Sequence, residues 1–152
     1  MKSDLTQRFP FLLAEVARLY GRQFDQRARE QIGLSRAQCR LLGALARQGG
    51  PLSQAALAEL LDLSSMAVTT LCDRMEAGGW IRRAACDGDR RVKHIHLEPC
   101  AAKALQAALR VSDSLQAQVL SGFDKTEQQQ LQALLRRAHE NLLALPGPGG
   151  AG

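Results

Sequence analysis

No stretch of this chain reaches the ~18 uninterrupted apolar residues of a membrane span, and its amino terminus carries acids and Arg where a signal peptide would carry an apolar run. A cytoplasmic protein without membrane attachment is expected. The four cysteines, Cys39, Cys72, Cys86 and Cys100, include no CxxC pair, so reduced thiols are expected rather than a disulfide framework. No Gly-rich phosphate loop, GxSxG or HExxH occurs; nothing points to an enzyme, and no cofactor is expected. Lysine is scarce, at positions 2, 93, 103 and 125 only. Arg therefore supplies most of the 20 cationic side chains that stand against 15 acidic ones, for a net charge of +5. A planar guanidinium donates two parallel hydrogen bonds, so an Arg-rich surface suits phosphates and base edges.

What the sequence does have is helical periodicity. From Leu5 to Arg29 the apolar positions Phe9, Leu12, Leu13, Val16, Leu19, Tyr20 and Phe24 recur at intervals of three and four, the mark of a long amphipathic helix with Pro10 in its first turn or dividing off a short leading segment. Ser35 and Gln38 fit a capping box for a second helix over about 36–47. Ser53 caps a short third helix over 54–61, Asp62-Leu63 makes a turn, and Ser64 caps a fourth helix through about Ala77. Gly78-Gly79 stops it. Trp80 to Ala84 and Val92 to Leu97 read as strands of a hairpin turning at Asp87-Gly88, which puts Arg90 and Arg91 at its tip. Pro99 is placed to open a fifth helix, and Asp124 to Glu127 to cap a sixth. The Gly/Pro tail, residues 146–152, is expected to be disordered.

Helix, tight turn, helix and hairpin in that order form a winged helix-turn-helix, whose second helix enters the DNA major groove. The fold expected is mainly α with a small β-hairpin. It forms one domain over residues 1–145: a winged helix-turn-helix at 34–97, flanked by dimerisation helices at 5–30 and 99–145. On the fourth helix Val68, Leu71, Cys72 and Met75 face inward, leaving Ser65, Met66, Thr69, Thr70 and Asp73 outside. The flanking helices carry apolar stripes that a monomer has little to cover with, so a twofold homodimer is expected. Its two recognition helices would read an inverted repeat with half-sites about 10 bp apart.

Leu34 to Gln38, Gln54 to Leu61, Ser64 to Met75, Gly78 to Arg83 and Asp89-Arg90-Arg91 together resemble successive blocks of the multiple-antibiotic-resistance regulator (MarR) family, over about residues 5–145. The resemblance implies a homodimeric transcription regulator of double-stranded DNA. Members are usually repressors, released by a small, often aromatic, effector or by an oxidant. It implies DNA-contact roles for Ser64, Ser65, Thr69 and Thr70, a backbone-side role for Arg74, a carboxylate at Asp89 that orients an Arg, and minor-groove entry by Arg90 or Arg91. Thr70 stands where many members carry Arg. Two other outcomes stay open: a thiol-based redox regulator, for which Cys86 beside Arg82, Arg83 and Arg90 is the candidate, and a winged-helix protein-interaction module without DNA binding. His94 and His96, even with His139, make too thin a ligand set for a metal site.

Overall fold

The computed structural model describes residues 2–147. Among them the chain forms seven helices and one three-stranded sheet: α1 Lys2–Leu5, α2 Phe9–Ile32, α3 Arg36–Gln48, β1 Leu52–Ser53, α4 Gln54–Leu61, α5 Ser65–Ala77, β2 Ile81–Cys86, β3 Asp89–Leu97, α6 Ala101–Val119 and α7 Lys125–Ala144. The chain divides between Leu115 and Gln116 into two compact units. No single helix among the described residues is long and apolar enough to cross a membrane.

Local side-chain chemistry sets most helix ends. Pro10 lies in the first turn of α2, where a missing N–H leaves no bond unmade, and a separate α1 precedes it instead of one helix from Leu5. Gly33, at φ +76°, closes α2 with its N–H on the Ala28 and Arg29 carbonyls. The Ser35 hydroxyl accepts from the Gln38 N–H at 3.2 Å while the Gln38 side chain accepts from the Ser35 N–H at 2.8 Å, so α3 opens with a complete capping box. Ser53 caps α4 and Ser64 caps α5, each accepting at 3.1 Å from the N–H three residues on. Between these two helices Asp62 takes a left-handed φ of +53° and the chain turns by 109°, within the range of helix-turn-helix motifs.

The core of the first unit gathers Leu41, Leu42 and Leu45 of α3, Leu57 and Leu61 of α4, Val68, Cys72 and Met75 of α5, Ile81 and Ile95 of the sheet, and Ala101 and Ala104 of α6. α5 ends where Gly79 takes φ +77° and Gly78 lies against the Trp80 indole, at which a Cβ would come within 2.9 Å of the ring. The turn thus needs both glycines, for different reasons.

The hairpin is longer than its alternation predicts. β2 and β3 pair antiparallel from Ile81↔Leu97 to Ala85↔Lys93, and a shift between Ala85 and Cys86 sets Cys86 opposite Asp89. Backbone pairing continues to the two-residue turn although Asp87 to Lys93 are all exposed, so the apolar pattern stops before the strands do. A third strand, β1, pairs Leu52 with Ile95 and Ser53 with His94, which makes the wing an edge of a sheet of order β1-β3-β2 rather than a free hairpin. Pro99 does not open α6 directly. It sits in a turn in which the Ala101 N–H reaches the Glu98 carbonyl, and the helix runs from Ala101.

In the second unit Gly122 at φ +86° breaks the chain, and Asp124 and Glu127 form a second complete capping box for α7. No residue of α7 is buried; Leu134, Leu135, Leu142 and Leu143 stand exposed. Of the expected disordered tail, Pro146 and Gly147 are non-helical, and residues 148–152 lie outside the described residues.

Candidate nucleic-acid interface

α5 has one buried side and one bare one. At about 100° per residue, Val68, Cys72 and Met75 point into the core, and Ser65, Met66, Thr69, Thr70, Asp73 and Arg74 are exposed. Ser64 sits at the cap with its oxygen committed to the Ala67 N–H, leaving its O–H as a donor. Thr69 is committed further. Its hydroxyl donates to the Ser65 carbonyl at 2.9 Å and accepts from Gln54 Nε2 at 3.1 Å, so its methyl and one acceptor position remain for a partner. That leaves the reading of donors and acceptors by hydroxyls mainly to Ser65 and Thr70, with Ser64 as a donor.

The wing residues Asp89, Arg90 and Arg91 are all exposed at the start of β3. Asp89 does something other than orient a guanidinium. Its carboxylate accepts from the Arg91 backbone N–H at 2.9 Å, and among the described residues it makes no ion pair. An Asp two residues before an N–H closes this ring readily, and it shapes the wing tip while leaving both Arg side chains unpaired.

A residue that the sequence pattern does not single out joins the two parts. Arg83, in β2, has a side chain only 14% exposed. Its Nε donates to Gln54 Oε1 at 3.0 Å, Nη1 to Glu76 Oε2 at 2.8 Å, and Nη2 to Asp73 Oδ1 at 2.7 Å and, at 3.4 Å, to the Thr69 carbonyl. Its backbone N–H adds a bond to Glu76 Oε1 at 2.9 Å. One guanidinium thus fastens the base of the wing to the recognition helix. It also ties down the two carboxylates of this surface, Asp73 and Glu76. These contacts span up to 29 residues, so spacing along the chain gives no signal for them.

The backbone N–H of Arg83, and after it the guanidinium, hold the Glu76 carboxyl below the usual glutamate range. A folded-state pKa below the unfolded one gives stability that is present above the ordinary carboxylate range and lost as pH falls through the lowered value. Glu76→Gln is therefore expected to cost at most about 1 kcal/mol at neutral pH, since the group is part-exposed, and to flatten the acid limb. Denaturant midpoints across a pH series check this, and an acid limb identical to the parent's would refute it.

Two of the four thiols are poorly set for sensing. Burial pushes the Cys39 and Cys72 thiols up, away from the reactive thiolate. Cys100 is exposed with its Sγ donating to the Gly79 carbonyl at 3.1 Å, and Cys86 is half-buried in β2. Among the described residues no three of His, Cys, Asp and Glu converge as metal ligands.

A recess of about 330 Å³ lies between α2, α3 and α6, lined by Tyr20, Phe24, Cys39, Gly43, Leu105, Ala108, Leu109 and Ser112, with Arg36 and Arg40 at its edge. The Tyr20 and Ser112 hydroxyls share a hydrogen bond at 3.3 Å. Gly21 lets the Arg36 guanidinium lie against α2; a Cβ there would be 3.0 Å from Cζ.

Residues 32–92 match the sequence profile of the MarR family. The chain is 29% identical over 133 residues to the HTH-type transcriptional regulator PecS of Dickeya dadantii, covering 86% of this chain and 80% of that one. The crystal structure of transcriptional regulator PA3341 is 33% identical, with a TM-score of 0.75 over 91% of this chain and all of the other. The Staphylococcus aureus MepR–DNA complex is 25% identical, with a TM-score of 0.72 over 89% of this chain and 98% of that one.

Proposed function

This chain belongs to the MarR family, a family of non-enzymatic transcriptional regulators with a DNA-binding winged-helix fold, and on that premise we propose that it is a homodimeric repressor of an inverted-repeat operator, released by a small aromatic ligand. The observation that carries DNA binding is the surface built by α5 and the wing. An exposed helix face with its two carboxylates tied to Arg83 lies beside a wing tip that carries two exposed arginines. Ser64, Ser65, Thr69, Thr70 and Arg74 would face the major groove and its backbone, and Arg90 and Arg91 the minor groove, whose narrow stretches concentrate negative potential. Asp89 would hold the wing tip in shape. That the S. aureus relative was solved in complex with DNA supports DNA binding.

Dimerisation is supported by exposed apolar side chains on α2 and on α7, surfaces that a single chain leaves in water. Ligand release is supported by the α2/α3/α6 recess. Its apolar walls suit a small ring, and Arg36 and Arg40 suit an attached anion. α3 forms one wall and also packs on α4 and α5, so a ligand that shifts α3 shifts the reading head.

The test is selection of duplexes from random-sequence DNA by the full chain at fixed moderate salt, repeated with small aromatic acids and with an oxidant. Recovery of an inverted repeat with half-sites about 10 bp apart, released by an aromatic acid, is expected. Arg91→Ala should weaken binding about tenfold and lower the salt slope by about one. Enrichment no better than random would indicate a protein-interaction module, and release by the oxidant alone a thiol switch.

A further inference from the structure

We propose that Met66 determines specificity by reading the 5-methyl group of thymine in the major groove, an inference that rests on the DNA binding proposed above. Met66 is 81% exposed, more than any other large apolar side chain among the described residues. Most of the others lie on α2, α6 and α7, whereas Met66 sits in the first turn of α5. Helical geometry puts it about 160° round the axis from the buried Val68, with Thr70 about 40° further on. It therefore occupies the centre of the face that would enter the groove.

Of its neighbours, Thr70 presents an exposed hydroxyl, whereas Thr69 and Asp73 have part of their hydrogen-bonding capacity taken up. The Thr69 hydroxyl is committed to the Ser65 carbonyl and Gln54, and the Asp73 carboxylate is held by Arg83. A thioether has no hydrogen bond of its own with which to tell a donor from an acceptor. The one apolar group that base edges offer in the major groove is the thymine methyl. An unbranched thioether has the reach and polarisability to settle on it.

The experiment takes the duplex selected by the full-length protein and replaces each thymine singly by uracil, which removes the methyl and nothing else. For the parent, at least one position per half-site should lose about fourfold in affinity, the worth of one buried carbon. Met66→Ala should bind the thymine site about as weakly as the parent binds the uracil site and be indifferent to the swap, while Met66→Leu should keep the sensitivity. A parent insensitive to every swap would overturn the assignment, as would a Met66→Ala protein as sensitive as the parent. Failure to select any site would instead remove the DNA-binding proposal itself, and this inference with it.

Discussion

Arg83→Ala should lower the melting temperature by about 5–10 °C and weaken operator binding by at least about 30-fold at fixed salt. The stability loss follows from four side-chain hydrogen bonds made by a guanidinium that is mostly buried. Its partners Asp73 and Glu76 are part-exposed and recover some hydration, so a cost of about 2–3 kcal/mol is reasonable, and each kcal/mol moves the midpoint of a domain this size by about 2–4 °C. The binding loss has two sources. Two carboxylates are set free beside the phosphates, and β2 loses its tie to α5. Arg83→Lys separates them: it keeps the charge but replaces a planar fork with a point donor that cannot bridge Gln54, Glu76 and Asp73 together. Lysine should repair part of the affinity and little of the melting temperature. An Arg83→Ala protein that melts and binds like the parent would show that the cluster is incidental.

The second large effect concerns assembly. Leu12→Glu combined with Val16→Glu should convert a dimer into a monomer at micromolar concentration, raising the dissociation constant on the order of a thousandfold. Along the first half of α2, Phe9, Leu12, Leu13, Val16 and Leu19 are between 42% and 64% exposed, too apolar a row for a surface meant to stay wet. Each such side chain covered by a partner is worth about 1–2 kcal/mol, and a charge forced into that contact costs more. Because both positions are exposed in the single chain, helix content should not change. Sedimentation velocity and circular dichroism together decide the matter; a double variant that still sediments as a dimer would move the interface elsewhere. Binding to an inverted repeat should fall with the dimer, and binding to a lone half-site should not.

Which features could be read from the chain depends on how far each one reaches. The Ser35/Gln38 and Asp124/Glu127 boxes, the Ser53 and Ser64 caps and the Gly33 stop act within four or five residues, so the residue types and their spacing predict them. The buried stripe of α5 was legible for the same reason. β1 was not: two residues after a proline, the second of them already the helix cap, carry no strand pattern, and their pairing with Ile95 and His94 is a tertiary fact. The wing strands outran their alternation because backbone pairing does not require buried side chains. Arg83 hid in the run Arg82-Arg83, where residue type does not distinguish the two positions. Only the fold reveals that one is exposed and tied to Glu98 while its neighbour turns onto α5. Exposure of the proposed contacts was foreseeable from helical period; the commitment of Thr69's hydroxyl and Asp89's carboxylate to backbone partners was not.

That commitment has a kinetic meaning. Thr69, Gln54, Asp73 and Glu76 are already bonded to one another or to Arg83, so the reading face has few side chains to strip of water or to reorient when it meets a duplex. Under the proposed function, encounter would then depend on the pull of Arg90 and Arg91 on phosphates, which every sequence offers alike. A correct and an incorrect site should be reached at nearly the same rate, and the difference between them should lie in how long the protein stays.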